Sequence, residues 1–254
     1  MNKKTHFYYQ ILKELSMRNL KRKYSSTFLG ALWAGVSPLM LTLAIYFVFI
    51  KVWGMNGRGF AIFVLSGIVP WLYFSSVIME STQTFLQEKV MVSHFDFPKF
   101  FYPLTTNISN LFQHVIAWLF VLPLFIVVDI HVIPRIPFLL IPILCMWLFL
   151  NGICIISAII NLLFRDFQHF LSTGLMILFW LTPAFYSVDM VPEKFKFILV
   201  VNPLTYFLKI YRVVLLGIKL NTVDVIFILG GLCVSNILAF FMYTRLYRLI
   251  EKKI

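Results

Sequence analysis

Three fragments, NLLFRDFQHF (161–170), LTPAFYSVDMVPEKF (181–195) and NPLTYFLKIYRVVLLG (202–217), hold the only punctuated polar pattern in an otherwise oily chain. An apolar run reaches Phe164, is cut by Arg165 and Asp166, and resumes from Phe167 to Val188 with Pro183 near its end. A second run, Phe197 to Gly217, is interrupted by Asn202-Pro203 and carries Lys209 and Arg212. It is a poor plain membrane span, because two cations and a helix-breaking Asn-Pro would each sit at hydrocarbon depth. Irregular backbone is tolerated there only where protein or a water-filled cavity shields it, so the run reads as a re-entrant hairpin.

Working outward, composition agrees with a chain that lives in lipid: 254 residues, 61% hydrophobic and only 13% charged, with a mean hydropathy of +0.89, describe a polytopic membrane protein. No cleavable leader pattern is present, so the first span is expected to act as the insertion signal itself. The formal net charge of +12 does not point to nucleic acid, since the basic residues cluster at the ends of apolar segments. Membrane topology and anionic lipid account for it better. Cys145, Cys154 and Cys233 all fall within apolar runs at no metal-binding or redox spacing, which leaves them as packing or lipid-facing residues.

Residues 1–27 form a basic amphipathic lead-in. Phe7, Ile11, Leu15, Arg18 and Arg22 recur at helical spacing, so a helix carries them on one stripe that starts apolar and ends basic. Such a helix is expected to lie in the interface, with Phe7, Tyr8, Ile11, Leu12 and Leu15 in acyl chains and Arg18, Lys21, Arg22 and Lys23 at phosphate level. Two readings of those cations stand side by side: a topogenic cluster with no ligand, or a contact for the phosphates of a lipid-linked substrate.

Span 1 (about 28–50) and span 2 (about 60–79) follow, the latter with Pro70 as a kink and Glu80 at its end. The loop 81–103 carries Glu88, Lys89, His94, Asp96 and Lys99. Span 3 (about 104–128) groups Asn107, Asn110 and His114 on one helical face. Residues of that kind at that depth turn toward the bundle interior or an aqueous path. Span 4 (about 136–164) exceeds the length a bilayer needs and is expected to tilt or protrude. It ends at Arg165, Asp166 and His169, where helix capping and partner contact are the expected roles, since sequence neighbours do not face each other on a helix. Span 5 leads to the hairpin, and span 6 (about 225–243) to a basic tail of Arg245, Arg248, Lys252 and Lys253.

The expected fold is thus an all-α polytopic membrane protein with six transmembrane helices, an N-terminal amphipathic interface helix, and an outer re-entrant helical hairpin between spans 5 and 6. Six spans put both termini on one side, and fourteen of the 22 Lys and Arg residues then share that side. That side should be cytoplasmic. Five of the eight outer cations fall between Lys194 and Lys219, beside or inside the hairpin, which is in tension with the same rule.

Chemical motifs are missing. No Gly-x-x-x-x-Gly-Lys-Ser/Thr loop, His-Glu-x-x-His, Cys-x-x-Cys or Gly-x-Ser-x-Gly occurs. The ten acidic residues are scattered at loop edges and offer no carboxylate pair for glycosyl chemistry. No Asp, Glu, Lys or Arg lies centrally within spans 1 to 6, which argues against an ion-coupled carrier. No catalytic residue and no metal site are assigned, and a passive conduit driven from outside the chain remains.

The order of Arg165-Asp166, His169, Thr182-Pro183, Tyr186, Pro192, Asn202-Pro203, Arg212 and Gly217 resembles the permease subunit of type-2 ABC exporters, closest to those that export O-antigen, capsule and teichoic acid polymers. The segment RNLKRKYSSTFLGALWAGVSP (18–38) is similar to the family's N-terminal signature, with Lys23-Tyr24 standing where Arg-Tyr is usual. The resemblance implies a single type-2 ABC transmembrane domain over 1–254: interface segment 1–27, spans 1 to 5 over 28–188, hairpin 189–222, and span 6 with the tail over 223–254.

The same resemblance implies a permease in the cytoplasmic (inner) membrane with both termini cytoplasmic, binding no cofactor itself. Its partners would be a second copy of the chain, two copies of a separate ATPase that uses ATP and Mg, a lipid-linked glycan and membrane lipids, with no nucleic acid. Candidate lipid-phosphate contacts are Arg18, Lys21, Arg22, Lys23 and Tyr24. Candidate ATPase-coupling residues are Glu88, Lys89, His94, Asp96, Lys99, Arg165, Asp166 and His169. Candidate exit residues are Tyr186, Asn202, Tyr206 and Arg212. Two other readings compete: a type-2 exporter of drugs or smaller lipids, and a membrane-embedded enzyme acting on polyprenyl-phosphate sugars.

Overall fold

The computed structural model describes residues 3–25, 28–54, 59–89 and 97–253; His94 and Asp96 lie outside them. Every regular element among the described residues is helical. In chain order these are α1 (Lys3–Tyr24), α2 (Trp33–Tyr46), α3 (Phe60–Thr82), α4 (Thr84–Gln87), α5 (Phe101–Val128), α6 (Leu140–Leu163), α7 (Phe167–Leu181), α8 (Lys196–Val201), α9 (Pro203–Leu216) and α10 (Thr222–Lys253). A 3-10 turn leads into α2 and a π-helical turn, Phe47–Val52, extends it.

Five helical stretches are long and apolar enough to cross a membrane: Gly30–Val52, Phe60–Thr82, Phe101–Val128, Ile130–Leu163 and Thr222–Tyr247. The chain is a multi-pass membrane protein. The surplus length expected of span 4 is taken up by a 3-10 stretch, Ile130–Leu139, containing Pro134 and Pro137. Span 5 is shorter than its apolar run, because α7 stops at Leu181 after 15 residues, where Thr182-Pro183 forbids another helical turn. α3 runs without interruption through Pro70.

Where the hairpin is expected lie two helical stretches, Glu193–Val201 and Pro203–Leu216, bent by 88°, a shape common to a broken span and a re-entrant loop. Asn202 makes the bend. Its side chain accepts from Leu204 N at 3.0 Å, and Pro203 follows at the first helical position, where its missing N–H costs nothing. Gly217 ends α9 in the left-handed region at φ 70°, a conformation that favours glycine. The Asn-Pro that looked like a break in one span is a start signal for a second helix.

α9 is wedged among α3, α6 and α10. Tyr211 and Phe207 are fully buried; Tyr211 stacks on Trp118 of α5 and Phe207 on Phe149 of α6. α3 forms the centre of the bundle, with Val64, Ile68 and Val77 wholly buried. At Gly67 a single methyl group would collide with the Ala184 carbonyl, so α3 and the turn after α7 touch backbone to backbone.

The apolar face of α1, expected in acyl chains, packs largely on protein. Of the described large apolar side chains in its first turns, Phe7 and Tyr9 remain well exposed. Tyr8, Ile11, Leu12 and Leu15 pack against a second core made by Phe85, Phe97, Tyr102, Ile159 and Leu162. An aromatic-rich protein surface gives this face fixed partners that acyl chains do not. Tyr243 and Leu246 of α10 join the same cluster, so α1 and the C-terminal part of α10 share one end of the bundle, here the near end. The start of α10 marks the far end.

Candidate functional site

At the near end, three cations from α1 meet two carboxylates. Arg18 pairs with Glu88 at 2.5 Å and Arg22 with the same carboxylate at 3.3 Å. Arg22 also donates to Gln87 Oε1 at 3.0 Å. Lys23 pairs with Glu80 at 2.5 Å and donates to Asn110 Oδ1 at 3.2 Å, while Asn110 Nδ2 donates to Glu80 Oε2 at 2.8 Å. Helix geometry explains the cluster: Lys21, Arg22 and Lys23 close α1, where the carbonyl end of the dipole favours positive charge. The spacing of four puts Arg18 and Arg22 on one stripe over Glu88, while Lys23, the next residue round the helix, reaches Glu80 instead.

Arg22, Lys23, Glu80, Gln87 and Glu88 rim a cavity of about 470 Å3 that Asn19, Thr84, Thr106 and Ser109 complete. Lys21 lies along a shallower groove on α1 with Glu14 and Arg18. Tyr24 ends the helix, and its side chain lies outside the described part. Of the candidate phosphate contacts, Arg18, Arg22 and Lys23 are therefore brought together, and Glu88, expected at the coupling surface, sits beneath two of them at 7% exposure. With Arg18 and Arg22 side chains 42% and 57% exposed, solvent screens these pairs to about 1 kcal/mol or less each.

The remaining described coupling candidates sit elsewhere at this end. Lys89 is exposed and Lys99 half-buried. Arg165, Asp166 and His169 are exposed on the turn between α6 and α7. Asp166 occupies the N-cap position of α7, but its side chain caps nothing. Asn161 does that work instead: its Oδ1 accepts from Gln168 N at 3.2 Å, and its Nδ2 donates to Thr82 O at 2.8 Å. The turn is thereby tied to the end of α3, just before α4. A Ser81 to Ser157 hydroxyl contact of 3.0 Å reinforces the joint.

Between the two ends, α5 carries a buried polar column. Asn107 accepts from Tyr73 Oη at 2.7 Å and donates to Trp147 O at 3.0 Å and Asn151 Oδ1 at 2.8 Å. His114 Nε2 accepts from Trp118 Nε1 at 3.1 Å and lies 2.9 Å from Tyr211 Oη, which links α5 to α9. The grouping of Asn107, Asn110 and His114 on one inward face matches their sequence spacing.

At the far end the exit candidates hold the hairpin in place. Tyr186 Oη donates to Trp180 O at 3.1 Å, and partial burial raises this phenol above the ordinary tyrosine value, so it stays a neutral donor. Asn202 Nδ2 donates to Thr182 Oγ1 at 2.8 Å. Tyr206 Oη donates to Val200 O at 3.0 Å, and its ring stacks on Phe227 at 4.4 Å. Arg212 donates to the carbonyls of Pro183 at 2.6 Å and Ala184 at 3.0 Å, with Ser66 Oγ at 3.4 Å. Sequence reasoning missed the contacts of Glu80, Asn161 and Ser66; Glu80 and Asn161 stand near the ends of apolar runs, whereas Ser66 lies inside span 2 with no such signal.

Residues 10–216 match the family described as ABC-2 type transporter. This chain belongs to that family. It is 30% identical over 253 residues to an O-antigen export system permease protein RfbA of Klebsiella pneumoniae, covering 96% of this chain and 95% of the relative. A second protein of that name from the same organism is 31% identical over 221 residues, covering 85% and 83%. One from Myxococcus xanthus is 27% identical over 219 residues, covering 82% and 80%. The ABC-2 chain is a permease homologous to O-antigen export permeases, a transport subunit whose family implies a partner ATPase.

Proposed function

We propose that this ABC-2 permease is the membrane subunit of an ATP-driven exporter that carries a lipid-linked, O-antigen-like surface polysaccharide across the cytoplasmic membrane. The observation that carries the reading is the match to an O-antigen export permease along 96% of the chain. Two copies of the chain would form the pathway, and two copies of a separate ATPase would hydrolyse ATP with Mg at the near end, which we place in the cytoplasm together with both termini. The hairpin α8–α9 would re-enter the outer half of the membrane. Arg18, Lys21, Arg22, Lys23 and Tyr24 would receive the lipid phosphates at the cytoplasmic leaflet. Arg165, Asp166 and His169, with the loop containing Lys89, His94, Asp96 and Lys99, would receive the ATPase stroke. Glu88 would report between the two, because it is bound by Arg18 and Arg22.

The test is co-purification of the tagged chain with a candidate partner ATPase, followed by ATP hydrolysis in nanodiscs with and without lipid-linked glycan. Stable association, with hydrolysis that responds to that lipid, is the expected result. Hydrolysis that answers to a hydrophobic drug and not to the glycan would replace the cargo. Failure to bind any ATPase in a membrane-folded preparation would overturn the reading.

A further inference from the structure

The five cations that break the expected charge asymmetry, Lys194, Lys196, Lys209, Arg212 and Lys219, are not spread over the far end. Four of them line one cavity of about 610 Å3 between the hairpin and the start of α10. Two are matched within the chain: Lys196 pairs with Glu193 and Lys209 with Asp224, each at 2.5 Å. Asp189, the other acid on the cavity wall, accepts from Ser187 Oγ at 3.2 Å. Arg212 is only 5% exposed. Among the described residues its partners are carbonyl and hydroxyl oxygens and the face of Phe63, whose ring centre is 4.0 Å from the guanidinium carbon. No carboxylate neutralises it, and Lys219, at the rim, forms no ion pair among the described residues. A buried full charge with only dipoles around it is costly, and one that borders a cavity is matched most simply by an anion within it. The opposite wall is apolar, with Leu199, Val200, Ile218 and Val223, and Val200 and Val223 are exposed to the surroundings at 51% and 58%.

We propose that this cavity is a binding site for a phosphate-bearing anionic group, with the headgroup of an anionic phospholipid as its amphiphilic form: phosphate at Arg212 and Lys219, acyl chains along the valine and leucine wall. The site lies where α10 begins and α7 ends, the depth at which headgroups meet the bundle. It stands at the other end of the bundle from the near-end cluster and includes two of the exit candidates, Tyr206 and Arg212, so its test reads lipid binding rather than transport. The positive-inside rule counts cations that must stay in the cytoplasm; cations that fold into pairs and around a ligand are an exception to it with a physical reason.

The experiment is thermal unfolding of the purified chain in zwitterionic nanodiscs, titrated with phosphatidylglycerol in one arm and with inorganic phosphate in the other. Phosphatidylglycerol is expected to raise the melting temperature saturably. Lys219→Gln is expected to weaken the apparent affinity roughly fivefold, as about 1 kcal/mol per cation near anionic lipid implies. Arg212→Gln should abolish saturation, while Lys51→Gln, a cation away from the cavity, should leave it unchanged. A response to phosphatidylglycerol alone assigns the lipid headgroup, and a response in both arms assigns the phosphate itself. No saturable response in either arm, or equal losses in Lys51→Gln and Lys219→Gln, overturns the proposal without bearing on export.

Discussion

Asn107 shows how much one side chain can hold. It satisfies Tyr73, the Trp147 carbonyl and Asn151 at once, joining α3, α5 and α6 where lipid offers no replacement. Asn107→Leu is expected to lower stability by about 1–3 kcal/mol for each buried group left unpaired, read as a fall in melting temperature in detergent with unchanged membrane insertion. A surface-level effect in that measurement would mean that the three groups find other partners. Asn107 was legible from the sequence because its spacing to Asn110 and His114 follows the helical period. Its bonds were not, since they depend on which helices become neighbours. Arg212 follows the same pattern: its type and position marked it, but Ser66, 146 residues away, could not be read from any local window. His94 and Asp96 lie outside the described residues, so their place in the coupling loop rests on sequence alone.

At the scale of elements, the turn between α6 and α7 is the joint through which, on the proposed function, the ATPase stroke would enter. Its exposed Arg165, Asp166 and His169 face outward, and Asn161 fastens it to Thr82. Asn161→Ala should therefore reduce transport-coupled ATP hydrolysis severalfold while ATPase binding persists. Arg165→Ala or Asp166→Ala should instead weaken assembly or coupling at the surface itself. Co-purification yield and hydrolysis rate, measured together on all three variants, separate the cases; unchanged values throughout would remove the turn from the mechanism. The sequence marked this turn through a charged pair in an oily run. It assigned capping to that pair, whereas the structure gives the work to a buried asparagine. In α1, amphipathicity foretold a face that seeks oil but not that protein supplies most of it. The hairpin was legible as an exception to span rules, and its 88° bend followed from an asparagine cap with proline behind it.

For the whole molecule, the proposed six-span layout would place residues 187 and 25 on opposite sides of the membrane. In a variant with Cys145, Cys154 and Cys233 replaced, Ser187→Cys in intact cells is expected to react with a membrane-impermeant maleimide. Ser25→Cys should react only after permeabilisation. The reverse pattern would invert the topology, and reaction of both in intact cells would break it. One further consequence belongs to this scale. Gly67 meets Ala184 backbone to backbone, and Arg212 reaches both that turn and Ser66, so the hairpin is keyed into α3 rather than appended to the loop that encodes it. Anyone transplanting residues 189–222 between related transporters would be moving a key without its lock: a working chimera has to carry Ser66, Gly67 and residues 182–184 along with it.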